Sequence, residues 1–161
     1  MRAQDFERLY EEHAGPLFSF LAYRTGNIGL AEDLVADTFE RALKTRARFD
    51  RRKASEKTWI YTIALNLLRD SARRRGAEGR ALERVKEAPR DTGSTPLERV
   101  ENRDQLARAI EVLSDEEREA LALRFGAELT VPEMAALLGL PLSTVEGRVY
   151  RALRKLREEL G

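Results

Sequence analysis

The sequence has no cysteine and a single histidine, His13. These two absences exclude disulfide bonds and thiolate metal sites, and they leave very little material for metal or nucleophilic chemistry. No P-loop, glycine-rich dinucleotide turn or histidine-containing metal motif is found in the sequence. No apolar run is long enough to span a membrane, and no signal-peptide core follows Met1. We therefore expect a cytoplasmic protein that has no membrane insertion, no cofactor and no enzymatic activity.

The charges are almost balanced in number but unevenly distributed along the chain. Residues 1–40 contain eight acids and three bases, residues 41–75 contain three acids and twelve bases, and residues 148–157 contain five bases and no acid. Two basic segments in a nearly neutral chain indicate two separate surfaces for polyanions. Charge alone fits equally well with solvated helix faces in an arginine-rich protein.

The apolar pattern predicts an all-α fold, because no segment alternates apolar and polar residues as a half-buried strand does. Helical spacing predicts helices over 3–23, 30–48 and 57–75, with a bend at Pro16 and a turn at 25–27. These three helices would form a first small domain.

Residues 76–95 differ from the rest in being rich in glycine and proline and poor in large apolar residues. This composition predicts a flexible linker, with a short helical piece over 81–86. We therefore expect two small helical domains, residues 1–75 and 96–161, joined by this linker.

In the second domain, two segments match the capping box that begins a helix: Ser-Asp-Glu-Glu at 114–117 and Thr-Val-Pro-Glu at 130–133. The predicted helices cover 97–113, 115–125, 131–138 and 143–159.

Residues 131–149 have the spacing of a helix-turn-helix. The small side chain of Ala135 would allow the second helix to approach closely, Gly139 would take the tight turn, and Val145 would anchor the recognition helix on the first helix. On that last helix, Thr144, Arg148, Arg151 and Lys155 recur at helical spacing and are expected opposite the buried stripe. The expected buried stripe is Val145, Val149, Ala152, Leu153, Leu156 and Leu160. The alternative is a helical bundle with a basic outer face.

The third predicted helix combines basic and aromatic residues, as surfaces for single-stranded nucleic acid do. Trp59 and Tyr61 stand near its start, and the preceding loop, 49–56, is basic. Taken alone, aromatic residues at such positions are more often core or core-edge residues than base-stacking ones. The residues that share the exposed face are Thr62, Asn66, Arg69 and Arg73.

Three stretches together resemble one protein family, the extracytoplasmic-function (ECF) sigma factors of bacterial RNA polymerase. Residues 31–42 (AEDLVADTFERA) resemble the polymerase-clamp-binding helix of sigma region two. Residues 58–70 (TWIYTIALNLLRD), with the arginines at 73–75, resemble the helix that reads the minus-10 element. Residues 113–153 resemble region four, which reads the minus-35 element. Order and spacing are similar to those of the ECF group.

The resemblance implies a sigma factor that binds core RNA polymerase and promoter DNA, both duplex and single-stranded. In the family, the loop matched by 49–56 captures a flipped base, and many members have an anti-sigma partner. The implied polymerase contacts are Asp33, Asp37, Glu40 and Arg41. The candidate minus-10 contacts are Arg51, Arg52, Lys53, Trp59, Tyr61, Thr62, Asn66, Arg69 and Arg73. The candidate minus-35 contacts are Arg124, Thr130, Ser143, Thr144, Glu146, Arg148, Arg151 and Lys155.

Three positions depart from the family pattern. Leu65 stands where a basic residue is frequent, and Gly147 replaces a common serine. Glu146 could accept a hydrogen bond from a cytosine amino group, or it could be only the partner of a helix cap at Ser143.

Two other functions remain open from the sequence alone. A helix-turn-helix regulator that binds duplex DNA without polymerase is one, although the acidic second helix would then lack a purpose. An enzyme with a metal at Glu32, Asp33 and Asp37 is the other.

Overall fold

The structure, a computed structural model, describes residues 1–77 and 108–161 of the chain. Two compact units divide the chain, Met1–Glu87 and Ala88–Gly161. All regular elements within the described residues are helical, which confirms the all-α prediction and the two helical domains. Most of the predicted linker, its short helical piece and the start of the predicted helix over 97–113 lie outside the described residues. Within residues 1–77 and 108–161, no helix is both long and apolar enough to cross a membrane.

The N-terminal unit contains three helices: α1 (Ala3–Thr25), α2 (Ile28–Thr45) and α3 (Glu56–Ala77). Helix α2 packs against both α1 and α3. Each helix contributes one apolar face to a shared core, as the spacing predicted. The largest fully buried apolar side chains of this core are Tyr61, Phe20, Leu9, Leu17, Leu21 and Ile60.

The turn between α1 and α2 forms where the sequence predicted it. Gly26 adopts a left-handed conformation with φ of 68°, and its N–H donates to the Ala22 carbonyl at 2.9 Å. The Asn27 side chain accepts from the Leu30 N–H at 3.0 Å and so begins α2. Helix α1 is continuous through Pro16.

Helix α2 is shorter than the predicted 30–48, because its last residues change to a tighter geometry. The α-helix ends at Thr45, and Arg46–Arg48 form a 3₁₀ turn closed by a hydrogen bond from the Phe49 N–H to the Arg46 carbonyl. Such turns are common at helix ends and share the apolar pattern of an α-helix.

The C-terminal unit begins, within the described residues, with the helical end of the predicted first helix at 108–111. Both predicted capping boxes are confirmed. Ser114 and Glu117 begin α4 (Asp115–Leu121), and Thr130 and Glu133 begin α5 (Val131–Leu138). The predicted helix to Phe125 is α-helical only to Leu121, since Ala122–Gly126 form a π-helical turn. Last comes α6 (Leu142–Leu160).

The helix-turn-helix is formed by α5, the turn at Gly139 and α6. Gly139 has φ of 66°, and its N–H donates to the Ala135 carbonyl. Val145 is fully buried as predicted, whereas Ala135 is half-buried and Met134 takes the fully buried position of α5. The residue of this helix that is most deeply buried is therefore Met134, one position before the small residue that the sequence indicated.

The buried stripe of α6 is narrower than predicted. Val145, Val149 and Ala152 are buried, but Leu153 and Leu160 are exposed. At 3.6 residues per turn, the three buried residues lie within about 60° around the helix axis, and the two leucines lie at the edge of this face.

Candidate nucleic-acid and partner interfaces

The exposed side of α2 carries all four residues that the resemblance assigned to polymerase contact. Asp33, Asp37, Glu40 and Arg41 are exposed and share one face at i, i+4, i+7 and i+8. They share that face because the opposite side of α2 is buried against α1 and α3. The Lys44 ammonium donates to Glu40 at 2.9 Å, and this ion pair lowers the pKa of the Glu40 carboxyl. The result is an acidic surface bordered by bases.

A groove of about 410 Å³ lies between α1 and α2 and was not predicted from the sequence. Its α1 side consists of Tyr10, Ala14 and Phe18, at i, i+4 and i+8, and this helical stripe is the signal that could have identified it. Tyr10 is half exposed, with its ring centroid 4.9 Å from that of Phe39. Glu32, Val35 and Ala36 line the α2 side.

The loop before α3 is folded into a compact turn that presents three cations. Asp50 organises it, because its carboxylate accepts from the Arg52 N–H at 2.9 Å and its carbonyl accepts from the Lys53 N–H at 3.0 Å. The side chains of Arg51, Arg52 and Lys53 are exposed at the tip. Arg52 also forms an ion pair with Asp50 at 3.3 Å.

Glu56, the first residue of α3, ties this loop to α1. Its carboxylate accepts hydrogen bonds from the Arg8 guanidinium at 3.0 and 3.1 Å. The Arg51 guanidinium lies 3.2 Å from the same carboxylate. The Glu56 side chain is only 17% exposed. The Glu56 and Glu12 carboxylates raise the pKa of Arg8. Sequence reasoning missed Arg8 and Glu56, since a pair 48 positions apart leaves no local pattern.

The exposed face of α3 brings together the predicted polar residues. Thr62, Asn66, Arg69 and Arg73 are all exposed at helical spacing, and Arg73 is paired with Asp70. These four side chains line one side of the helix beside the loop at 49–55.

The two aromatic residues of this helix have different environments. Trp59 lies at the edge of the exposed face, half-buried, with its ring centroid 4.9 Å from that of Phe49. The prediction that Tyr61 contacts DNA is wrong for this conformation, because its side chain is fully buried beside Phe20. One residue before Thr62, Tyr61 is rotated by about 100° toward the core. Its hydroxyl has no hydrogen-bond partner among residues 1–77 and 108–161, and burial raises the pKa of Tyr61 above its ordinary value.

Leu65 lies on the same core-facing side and is 2% exposed. The departure from the family pattern at this position therefore does not remove a cation from the exposed face of α3.

At the start of α6, the structure decides between the two interpretations of Glu146. The cap position is Pro141, whose carbonyl accepts from the N–H groups of Thr144 and Val145, and Ser143 already lies inside the helix. The predicted Ser143 cap is therefore wrong, and so is the interpretation of Glu146 as its partner. Glu146 is exposed.

The basic side of α6 is not opposite the buried stripe, as was predicted, but beside it. Thr144, Arg148, Arg151 and Lys155 each stand next to a stripe position along the chain, which places them about 100° from it. Glu146 lies on nearly the other side of α6 from these four residues, so the predicted minus-35 contacts do not form a single face.

The basic side of α6 also faces two carboxylates of α4. Lys155 Nζ lies 2.7 Å from Glu117 Oε1, Arg151 Nε lies 4.0 Å from Glu117 Oε2, and Arg148 Nη2 lies 3.5 Å from Glu116 Oε2. Burial alone would raise the pKa of Glu117, but Lys155 and the hydrogen bonds with Ser114 outweigh it and lower that pKa. Sequence reasoning missed both glutamates as partners of the basic residues.

Gly147 provides space for Arg151. A Cβ atom at residue 147 would stand 3.0 Å from Arg151 Nη1, so the guanidinium lies directly over this position. A serine here would require the flexible end of Arg151 to shift. The glycine at this position, where the family commonly has serine, thus allows the Arg151 guanidinium to lie against the α6 backbone.

Arg124 and Thr130 flank the helix-turn-helix and already have partners in the fold. Arg124 donates to the Leu129 carbonyl at 3.3 Å and lies 5.3 Å from the Phe125 ring centroid. The Thr130 hydroxyl accepts from the Glu133 N–H at 3.2 Å, yet Thr130 remains exposed.

Among the residues that the structure describes, no group of three His, Cys, Asp or Glu residues could hold a metal ion. The described part of the chain therefore gives no support to a metal at Glu32, Asp33 and Asp37. His13 is half-buried 3.8 Å from Glu12, and burial lowers the pKa of its imidazole.

Comparison with known families matches both units. The model of sigma-70 region 2 matches residues 9–78, and that of sigma-70 region 4 matches residues 103–156. The chain is 33% identical to the ECF RNA polymerase sigma factor BldN of Streptomyces coelicolor, covering 96% of this chain and 60% of BldN. It is 31% identical to the RNA polymerase sigma factor YlaC of Bacillus subtilis, covering 96% of this chain and 91% of YlaC.

Solved structures give the same result. The sigma factor RpoE of Bartonella quintana, crystallised with the anti-sigma factor NepR, is 28% identical with a TM-score of 0.81, over 98% of each chain. CnrH, in complex with the cytosolic domain of CnrY, is 27% identical with a TM-score of 0.73, over 99% of this chain and 89% of CnrH. Sigma factors bind core RNA polymerase and direct promoter-specific transcription initiation. The chain belongs to the sigma-70 family and, within it, to the ECF sigma factors.

Proposed function

We propose that this sigma factor reads two promoter elements with its two domains, residues 1–75 and 96–161, joined by the segment 76–95. Each contact alone would be weak. Joining the domains through one chain raises the effective concentration of the second contact once the first has formed. The observation that carries the proposal is a polar and basic helix side in each unit, fully exposed on α3 and partly exposed on α6, both within segments that match the sigma-70 family.

The first step is docking on core polymerase through the acidic side of α2. This side carries four exposed residues that are not part of the core of the N-terminal unit: Asp33, Asp37, Glu40 and Arg41. Charged residues at such a surface steer association and select the partner through charge complementarity.

The minus-10 element would then be held as single-stranded DNA by the loop before α3 and by the exposed face of that helix. Arg51, Arg52 and Lys53 supply cations for the backbone, and Asn66 supplies both donors and acceptors for a base edge. Trp59, resting on Phe49, offers a partly exposed ring for stacking. Thr62, Arg69 and Arg73 extend this surface along α3.

The minus-35 element would be held as duplex by α6. Ser143, Thr144 and Glu146 lie in the first turns of α6, where a recognition helix contacts base edges. Glu146 is exposed and is not a capping partner, which supports a contact with a cytosine amino group. Arg148, Arg151 and Lys155 would contact phosphates or bases, with Arg124 and Thr130 at the border of the motif.

We also propose an anti-sigma factor as a partner. The RpoE and CnrH structures are complexes, the former with an anti-sigma factor. The groove between α1 and α2 gives this chain an apolar surface next to the acidic side of α2.

Selection of promoters from a randomised DNA library, transcribed by core polymerase with this chain, tests the two-element reading. We expect two enriched elements from the wild type. Arg148→Ala should relax the upstream element alone, and Asn66→Ala the downstream element alone, each discrimination being worth about 1–3 kcal/mol per base contact.

The matched control is Arg157→Ala, an exposed cation of α6 outside the proposed contacts. If Arg148→Ala and Asn66→Ala both enriched the same two elements as the wild type, the assignment of these residues to the promoter elements would be contradicted.

A further inference from the structure

The first turn of α4 carries two adjacent carboxylates that engage the basic side of α6. Glu116 lies 3.5 Å from Arg148, and Glu117 contacts both Arg151 and Lys155. Three of the cations proposed to contact DNA thus have carboxylate partners within their own domain. A carboxylate offers a guanidinium the same kind of anionic oxygen acceptors that a phosphate does. A cation that is paired with one of these carboxylates is therefore less available to bind a DNA phosphate.

The two glutamates have different roles in the fold. Glu117 is 5% exposed, accepts from the Ser114 N–H at 2.9 Å and completes the capping box of α4. The side chain of Glu116 is 70% exposed, and within the described part of the chain it forms an ion pair with Arg148 alone. Glu117 is therefore part of the domain's structure, whereas Glu116 can release Arg148 without breaking a cap.

Arg148 is in turn mostly covered, with 18% of its side chain exposed. The side chains of Arg151 and Lys155 are 50% and 36% exposed despite their contacts with Glu117. Of the three cations, Arg148 must move most to present its guanidinium to DNA, and Glu116 is the anion it would leave.

We propose that Glu116 is an affinity-limiting residue of the helix-turn-helix, which competes with promoter DNA for the Arg148 guanidinium. This inference rests on the proposed contact between Arg148 and the minus-35 duplex. In the free protein, Glu116 holds Arg148 and adds negative charge beside the DNA-binding side, and both effects weaken binding to any duplex. When polymerase holds the chain at a promoter, the raised effective concentration of DNA overcomes this competition. The pair thus reduces binding of free sigma factor to non-promoter DNA.

The test is fluorescence anisotropy of the full chain with a labelled DNA duplex, between about 50 and 200 mM salt. Glu116→Gln keeps the side-chain shape and removes the charge. It should bind about two- to fivefold more tightly than the wild type, as expected for releasing a partly exposed ion pair. Arg148→Ala should bind more weakly and show a shallower salt dependence. In the Arg148→Ala background, Glu116→Gln should increase the affinity for DNA by no more than the general effect of removing one negative charge.

Asp115→Asn is the matched control. Asp115 is the exposed neighbour of Glu116, carries the same charge and forms no ion pair within residues 108–161. Its gain in affinity should be smaller than that of Glu116→Gln, since it measures only the general effect of removing one negative charge.

Three outcomes would overturn this inference alone. Equal gains from Glu116→Gln and Asp115→Asn, or a Glu116→Gln gain that is as large in the Arg148→Ala background as in the wild-type chain, would show only a general charge effect. Weaker binding by Arg148→Ala with no gain from Glu116→Gln would also overturn it, while the proposed function stands. Unchanged binding by Arg148→Ala would instead contradict the proposed minus-35 contact, and this inference with it.

Discussion

At the scale of single residues, the buried carboxylate of Glu117 connects two elements of the C-terminal unit. It caps α4 through Ser114 and pairs with Lys155 of α6, 38 positions further along the chain. A buried carboxylate without partners would be costly, but Glu117 has both a charge-assisted hydrogen bond and a cap. Its charge therefore stabilises the position of α6 on α4.

Glu117→Gln should lower the free energy of unfolding of the C-terminal unit by about 1–3 kcal/mol at neutral pH, because Lys155 loses its anionic partner. Partners lower the pKa of Glu117 below its ordinary value of 4.5, so this stabilisation is present above that pH and is lost as the pH falls below it. The difference between wild type and variant should therefore shrink in acid. Urea unfolding followed by circular dichroism measures it.

The chain provides its own control for this experiment. Trp59 is the only tryptophan and lies in the N-terminal unit, so its fluorescence follows that unit. Glu116→Gln changes the residue next to Glu117. It should leave the unfolding free energies of both units unchanged to within about 0.5 kcal/mol. Equal destabilisation by the two substitutions would contradict the distinction between Glu116 and Glu117.

The side of a helix on which a residue lies could be predicted only where its residue type is typical of one side. Thr62, Asn66, Arg69 and Arg73 were correctly placed on one exposed face. Tyr61 was not excluded from it, because an aromatic residue fits both a core and a stacking surface.

At the scale of elements, helix starts that depend on local hydrogen bonds were predicted well. The boxes at Ser114 and Thr130 contain their whole signal within four residues. The start of α6 was misplaced, because Ser143 is a good cap by type, whereas Pro141 occupies the position by backbone geometry. The π-helical turn at Ala122–Gly126 has the apolar pattern of an α-helix, so periodicity could not identify it.

The loop before α3 depends on a contact between elements. Arg8 of α1 donates to both oxygens of Glu56, and Glu56 also holds Arg51. Glu56→Gln should leave the loop less well fixed and reduce promoter melting by the polymerase complex about fivefold, corresponding to about 1 kcal/mol for a partly exposed ion pair. Fluorescence of 2-aminopurine in the minus-10 element measures melting.

Glu12→Gln is the control, since Glu12 also pairs with Arg8, at 3.2 Å, but among the described residues it forms no ion pair with the loop at 49–55. It should melt the promoter as the wild type does. If the two glutamine variants behaved alike, Glu56 would not be a positioning residue for this loop.

At the scale of the whole molecule, the charge distribution along the chain indicated two polyanion surfaces despite a net charge of +1. The family resemblance then assigned each surface to a promoter element, and the family itself is confirmed by both matching regions. What the sequence could not provide is which cations have partners within the fold. The pairs Arg8–Glu56 and Lys155–Glu117 join residues 48 and 38 positions apart, and only the packing of helices brings them together.

The proposed function depends first on docking of this chain on RNA polymerase through the acidic side of α2. The most direct measurement is the affinity of the full chain for purified core polymerase, with wild type beside the double variant Asp33→Arg, Asp37→Arg. The control is Glu7→Arg, Glu11→Arg, which reverses two exposed acids at the same i, i+4 spacing on α1. We expect tight binding by the wild type and the control, and a loss of at least about tenfold in the α2 variant, because like charges then oppose each other at the interface. Wild-type affinity in a folded α2 variant, or an equal loss in the control, would contradict it.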